Sequence, residues 1–352
     1  MKKIKKLCCL LLVLALFAAL VACAPGSQSS REEPGSEQTS TGEQVPEDPT
    51  VGEAPVLELV ADPRHETGFN VKGQQDGDGT VKGMLWYDSR QEEALWDLAQ
   101  WESGYYFREN GAYPAAYDIL NGEKTESEGV WQWKDASKTL RVDPGSGSVF
   151  LALDAGKEYA APRENGQPWP HLLLEYGLTE NPRAAAMSRL ELQLTFQLEH
   201  FENLMAEGTQ REGLHTAQFM WYMTLRNVNP ASEDYGCFMW FGVNLFDRRY
   251  EFAELYAMQD TGKPINTEAY IYQPAARDIL PAATAVGVRQ EVKADLLPHI
   301  KKAFISAQNA KFFTRSNFSD LAVGGGNFGW EMTGTYCAGM TVESFQLVAV
   351  MN

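Results

Sequence analysis

Residues Arg189–Glu199 alternate without a break. Leu190, Leu192, Leu194, Phe196 and Leu198 fall on one side, and Glu191, Gln193, Thr195, Gln197 and Glu199 on the other. A helix would scatter these two sets around its axis, whereas a strand sends them to opposite faces. The run predicts a strand with one buried and one wet face. Leu214–Asn227 repeats the pattern. Ala217, Phe219, Trp221, Met223 and Leu225 oppose Thr216, Gln218, Tyr222, Thr224 and Arg226, and Met220 interrupts the polar set. Cys237–Phe246 sets Met239, Phe241, Val243 and Leu245 against Trp240 and Asn244. Glu268–Gln273 and Thr341–Val350 read as further strands. Asp76-Gly77-Asp78-Gly79 parts Phe69–Gly73 from Thr80–Tyr87 and predicts a hairpin. A calcium loop is excluded there, because Tyr87 stands where the bidentate Glu is needed.

One helix is expected over Val292–Phe312. Leu296, Leu297, Ile300, Phe304 and Ala307 make a stripe at helical spacing. Pro298 places its start near Asp295 or Leu296. With no strand–helix–strand rhythm, the expected fold is an all-β jelly-roll sandwich of two antiparallel sheets with one peripheral helix. Residues 56–352 are expected to form it as a single domain.

The N-terminus predicts an address. Lys2, Lys3, Lys5 and Lys6 precede an apolar run from Leu7 to Ala22, which is shorter than the roughly 20 residues a spanning helix needs. Leu20-Val21-Ala22-Cys23 resembles the bacterial lipobox. That resemblance implies a signal peptide over 1–22, acylation (palmitate) of Cys23, and a lipid-anchored protein of the cell membrane facing outside the cytoplasm. Residues 24–55 are Ser, Glu, Gln, Thr, Gly and Pro without an aromatic, so 23–55 reads as a disordered acidic tether. Loss of the four leader lysines takes the net charge from −17 to −21. Seven acids and Arg31 in the tether account for six, leaving −15 on the remainder. Such acidity argues against nucleic acid and anionic lipid surfaces as partners, and more weakly against a strongly anionic glycan. Of five cysteines, Cys237 and Cys337 stay in the folded part, and an exported chain allows either a disulfide or two thiols.

Phe318-Ser-Asp-Leu-Ala-Val-Gly-Gly-Gly-Asn-Phe-Gly-Trp-Glu-Met-Thr-Gly-Thr-Tyr336 with the closing strand Val342–Val350 resembles the end of concanavalin A-like lectin/glucanase sandwiches. Trp169-Pro-His-Leu-Leu-Leu-Glu175 and the strands within Leu190–Phe241 fit the same family. The resemblance implies two bent sheets whose concave face meets a glycan. Laminarinase-type members carry Glu-x-Asp-x-Glu on one strand, and Gln193 and Thr195 replace its second and third acids here. Alginate-lyase-type members carry Arg-x-Glu-x-Arg, of which Arg189-x-Glu191-x-Gln193 keeps two positions.

Glycan sites combine aromatic rings with planar polar groups. Period counting puts Tyr222, Trp240 and Tyr272 on wet faces with Gln193, Gln218 and Asn244. Trp169, His171, Asn327 and Trp330 lie in the segments that carry the resemblance. These ten are the candidate glycan contacts, with interior packing the competing reading for each tryptophan. If the chain were an enzyme, a lyase or a hydrolase, Glu175, Glu191 and Glu331 would be its acids, and His171 or Tyr272 its proton carrier. The five histidines show no metal-ligand spacing, and no cofactor or nucleotide site is expected. The expected function is glycan binding by a surface lipoprotein. A carbohydrate-active enzyme and a non-catalytic adhesion protein are the alternatives.

Overall fold

The computed structural model describes residues 54–87, 93–261 and 266–352. The leader, Cys23 and nearly all of the tether lie outside them. The strands, numbered along the chain, form two sheets. The first orders Arg289–Asp295 (β15), Met187–Asn203 (β10), Tyr336–Met351 (β17), Ser148–Asp154 (β8), Lys138–Asp143 (β7), Val130–Lys134 (β6) and Glu123–Ser127 (β5), and Val56–Glu58 (β1) also pairs β17. The second orders Tyr256–Gln259 (β13), Tyr270–Gln273 (β14), Phe238–Asp247 (β12), Ala217–Asn227 (β11), Leu321–Met332 (β16), His171–Tyr176 (β9), Trp96–Ala99 (β4), Phe69–Lys72 (β2) and Val81–Leu85 (β3). This is the expected mostly-β sandwich with one α-helix, Leu297–Asn309 (α1), among the described residues.

Two expectations are corrected. The sheets are not wholly antiparallel, because β12 pairs β14 and β2 pairs β4 in parallel. In each case the chain turns through a neighbouring edge strand, β13 or β3, and its next strand then runs the original way. The apolar run Val292–Phe312 is trimmed at both ends, while the start expected near Asp295 or Leu296 holds: the helix runs Leu297–Asn309 with Leu296 as its N-cap. Residues Arg289–Asp295 alternate exposed and buried and pair with β10 as an edge strand. The period of two prevails there, and the helical stripe starts only at Leu297, with Pro298 in its first turn.

The alternating residues of β10 and β11 meet between the sheets. Leu190, Leu192, Leu194, Phe196 and Leu198 are buried against Phe219, Trp221, Met223 and Leu225 in one core. Phe345 of β17 centres it, with Tyr176 at 4.9 Å, Phe328 at 5.7 Å and Trp221 at 6.3 Å between ring centroids. Cys237 and Cys337 are not joined. Cys337 stands opposite Asp154 in the first sheet, and Cys237 leads into β12 of the second.

His65 packs on Trp96 at 4.5 Å and on Phe69 at 5.7 Å. Burial pulls its pKa down to about 4, against the opposing pull of Asp62 and the Gly147 backbone. The unfolded imidazole takes a proton below about 6.5, which the folded one resists until about 4. Stability is therefore expected to fall as pH drops through this window, by about 3 kcal/mol at its lower end. Denaturation midpoints at pH 7 and pH 4.5 measure this, and His65→Phe should flatten the difference.

Candidate functional site

The face of the nine-stranded sheet turned away from the core carries most of the predicted polar and aromatic residues. On β11 it shows Gln218, Met220, Tyr222 and Thr224, and on β12 Phe238, Trp240, Gly242 and Asn244, because their alternates fill the core. β16 adds Asn327, Gly329 and Glu331, and β9 adds His171, Leu173 and Glu175. Register aligns these side chains in rows across the strands. Tyr222, Asn327 and Glu175 form one row, and Gln218, Glu331 and His171 another. Glycine at 242, opposite Tyr222, leaves room for the tyrosine ring, which a Cβ there would strike.

Each row is held by hydrogen bonds. The Tyr222 hydroxyl meets the Gln273 amide and the Met220 sulfur. Burial, and then Glu331, push that phenol far above its ordinary value. Trp240 stands at 6.0 Å from the Tyr222 ring and 5.6 Å from Phe238, and its Nε1 donates to Thr267 Oγ1 at 3.2 Å. Glu331 accepts from Trp169 Nε1 at 3.0 Å and lies 3.5 Å from His171 Nε2. The Trp169 ring carries the Arg163 guanidinium at 4.7 Å and the stacked His171 ring at 5.7 Å.

Glycoside hydrolysis depends on how carboxyl groups are placed across such a face. That chemistry needs two carboxyls about 5–5.5 Å apart for retention, or about 6.5–9.5 Å for inversion. The position directly opposite Glu331 on β11 is Gln218, an amide. One strand beyond stands Asp247. Its oxygens accept from Arg249 at 2.6 and 3.0 Å, Thr216 at 2.9 Å and Gln218 at 2.8 Å, and its side chain is 1% exposed. Glu175 sits four residues along β9 from His171, which is about 13 Å along the strand. It is bound to Lys72, which also pairs with Asp97 at 3.0 Å. Burial raises the Glu175 pKa despite that lysine. For Lys72, burial works downward, but Glu175 and Asp97 outweigh it and the net shift is upward.

Several predicted site residues stand elsewhere. Glu191 and Gln193 belong to β10 of the other sheet, on the opposite outside of the sandwich. There Glu191 is covered by Gln193 at 2.5 Å and Lys293 at 3.3 Å. Wet-face parity is correct for both, but parity does not say which sheet a strand joins. Tyr272 is a core residue stacked 6.3 Å from Phe241, because β14 turns Ile271 and Gln273 outward instead. Trp330 is fully buried and donates from Nε1 to Leu151 O at 2.9 Å, tying the second sheet to β8. Trp169, His171, Gln218, Tyr222, Trp240, Asn244, Asn327, Glu175 and Glu331 do share one face or its rim.

Gln273, Met220, Asp247 and Arg163 join the site without a clear signal in the sequence. The parity of Tyr270 and Tyr272 carried the signal for Gln273, obscured by the apolar Ile271 between them. Met220 looked like a fault in a polar row, yet its sulfur accepts from both Tyr222 and Gln273. Asp247 lies one residue past the predicted strand end.

No family model matches the chain, and no curated protein does. Among solved structures, it is similar to a native family 12 xyloglucanase from Bacillus licheniformis. Identity is 10%, the TM-score is 0.39, and 65% of this chain and 97% of that one are covered. It is also similar to the endoglucanase cel12A from Rhodothermus marinus, at 10% identity and a TM-score of 0.34, over 66% and 97% of the two chains. A third is the catalytic domain of Humicola grisea Cel12A in complex with a soaked thio cellotetraose, at 8% identity and 0.31, over 64% and 94%. At such identities and scores the likeness carries no argument about activity, and the fold rests on the strand pairing above.

Proposed function

We propose that this chain is a lipid-anchored, extracytoplasmic glycan-binding protein that takes a polysaccharide on the outer face of the nine-stranded sheet without cleaving it. The observation that carries this reading is the pairing of Gln218 with Glu331. The face combines rings (Tyr222, Trp240, Phe238) with planar polar groups (Gln218, Asn327, Gln273), as sugar recognition requires. Yet an amide stands where a second carboxyl would complete a hydrolytic pair. Anchoring through Cys23 supplies the location and stays a sequence-based proposal.

Affinity gel electrophoresis of the full chain against xylan, xyloglucan, mixed-linkage β-glucan and cell-wall glycan tests the reading, with reducing ends measured in parallel. The expected result is retardation by at least one polymer with no release of reducing ends. Trp240→Ala is expected to weaken that retardation roughly tenfold, the loss of about 1.4 kcal/mol of ring contact. Product release would instead establish an enzyme, and retardation by none of the polymers would end the glycan reading.

A further inference from the structure

We propose that Arg163 is an anchor for an oxyanion, so that the polysaccharide taken by this face bears carboxylate groups. The inference rests on the glycan-binding reading and names the class of glycan.

Arg163 is 4% exposed. Its Nε donates to Gln167 O at 2.7 Å, and its guanidinium lies over the Trp169 ring at 4.7 Å. Among the described residues, Nη1 and Nη2 have no acceptor, and no carboxylate pairs with them. The neighbouring hydroxyls of Tyr106 and Tyr159 make no hydrogen bond to Arg163 among the described residues, and their protons go elsewhere. Tyr106 donates toward Gln167 and Pro168, and Tyr159 toward Met332 O. The nearby cation, Arg211, has its own acid, Glu164, at 2.6 Å. Burial lowers the pKa of Arg163, Tyr159 and Tyr106 oppose that shift, and the charge of Arg211 adds to it.

The Nη groups are not sealed from water, yet a guanidinium on a residue only 4% exposed keeps little hydration, and charges so enclosed are otherwise paired. The local fold uses Nε, for the loop bond, and the flat face of the guanidinium, for the Trp169 ring. The two remaining nitrogens present the parallel N–H pair that takes a planar carboxylate in bidentate fashion. Trp169 links this group to the candidate face, because its Nε1 holds Glu331. A sugar lying along the row of Gln218, Glu331 and His171 ends beside that ring. A uronate at that end would meet Arg163, where a neutral sugar would leave the Nη groups unserved.

Native glucuronoxylan and the same polymer after chemical reduction of its carboxyls to alcohols are the two probes, used with the full chain in affinity gels. The expected result is a dissociation constant roughly tenfold or more lower for the native polymer, the scale of a charge-assisted bond. Arg163→Gln should erase that difference. Equal affinity of the unaltered chain for both polymers would overturn the carboxylate inference and leave glycan binding standing. A native polymer bound tighter by the unaltered chain and equally tighter by a folded Arg163→Gln would also overturn it. No binding to either probe or to the neutral glucans would overturn both readings. The comparison of the two polymers on the unaltered chain needs no variant to fold.

Discussion

Lys138→Ala is expected to cost about 3–5 kcal/mol of stability, the scale of breaking a buried ion pair by removing one partner. The Lys138 side chain is completely buried. Its Nζ reaches Asp135 Oδ2 at 2.7 Å, Tyr117 O at 2.7 Å and Ser103 Oγ at 2.5 Å. Ser103 Oγ is in turn 2.7 Å from Glu158 Oε1, whose carboxylate also accepts from Ser137 and from Gly104 N at 2.6 Å. Asp135 directly, and Glu158 through Ser103, thus share one buried cation. Removing the lysine leaves both carboxylates in a dry interior, where each can recover only by taking a proton. The network joins β7 to the loops at Ser103 and Glu158, so the loss should unlock that end of the molecule. Urea denaturation followed by tryptophan fluorescence measures the effect. A loss below about 1 kcal/mol would place Lys138 among ordinary strand lysines. Combining Lys138→Met with Glu158→Gln and Asp135→Asn should recover part of the loss, since no charge would then stay unpaired.

Trp330→Ala is expected to cost a comparable amount, about 3–5 kcal/mol, from the cavity it leaves. The ring sits edge-on to Phe219 at 5.0 Å and to Phe246 at 6.1 Å, and its Nε1 is the donor for Leu151 O. Truncation also strands that buried carbonyl, worth about 1–3 kcal/mol. Trp330→Phe keeps most of the volume, so it should fold with a smaller loss and bind glycan as the unaltered chain does. If Trp330→Phe kept its stability but lost glycan affinity tenfold, the ring would have to be assigned to the ligand after all.

These two residues show how far the sequence could be read. Strand existence was legible wherever apolar and polar residues alternate for ten positions, as at Arg189–Glu199 and Leu214–Asn227. The wet side of β11 was legible from the same count, and with it Gln218 and Tyr222. Trp330 was not, because the glycine-rich stretch before it obscures the parity of β16: Gly324 to Gly326 include a register shift against β11. Lys138 was not, because a lysine at the start of a short strand looks solvated until the loops that cover it are known. Glu191 and Gln193 had the right parity and the wrong sheet. Pairing partners are set by contacts between segments far apart in sequence, which periodicity does not encode. Arg163 was hidden in a loop, where no period exists to read.

The place of β17 bears on how the molecule comes to be made. This strand, Tyr336–Met351, lies inside its sheet, with β10 along one side and β8 and β1 along the other. Phe345, at the middle of the core, belongs to it. The first and last described strands are therefore neighbours, Val56 facing Val350. Closing so long a loop is slow, and a sheet that waits for its inner strand exposes its apolar side meanwhile. During synthesis the sandwich cannot shut until its final residues have emerged. A ribosome-bound chain stopped short of Tyr336 should stay open to proteases, whereas one extended past Met351 should resist them.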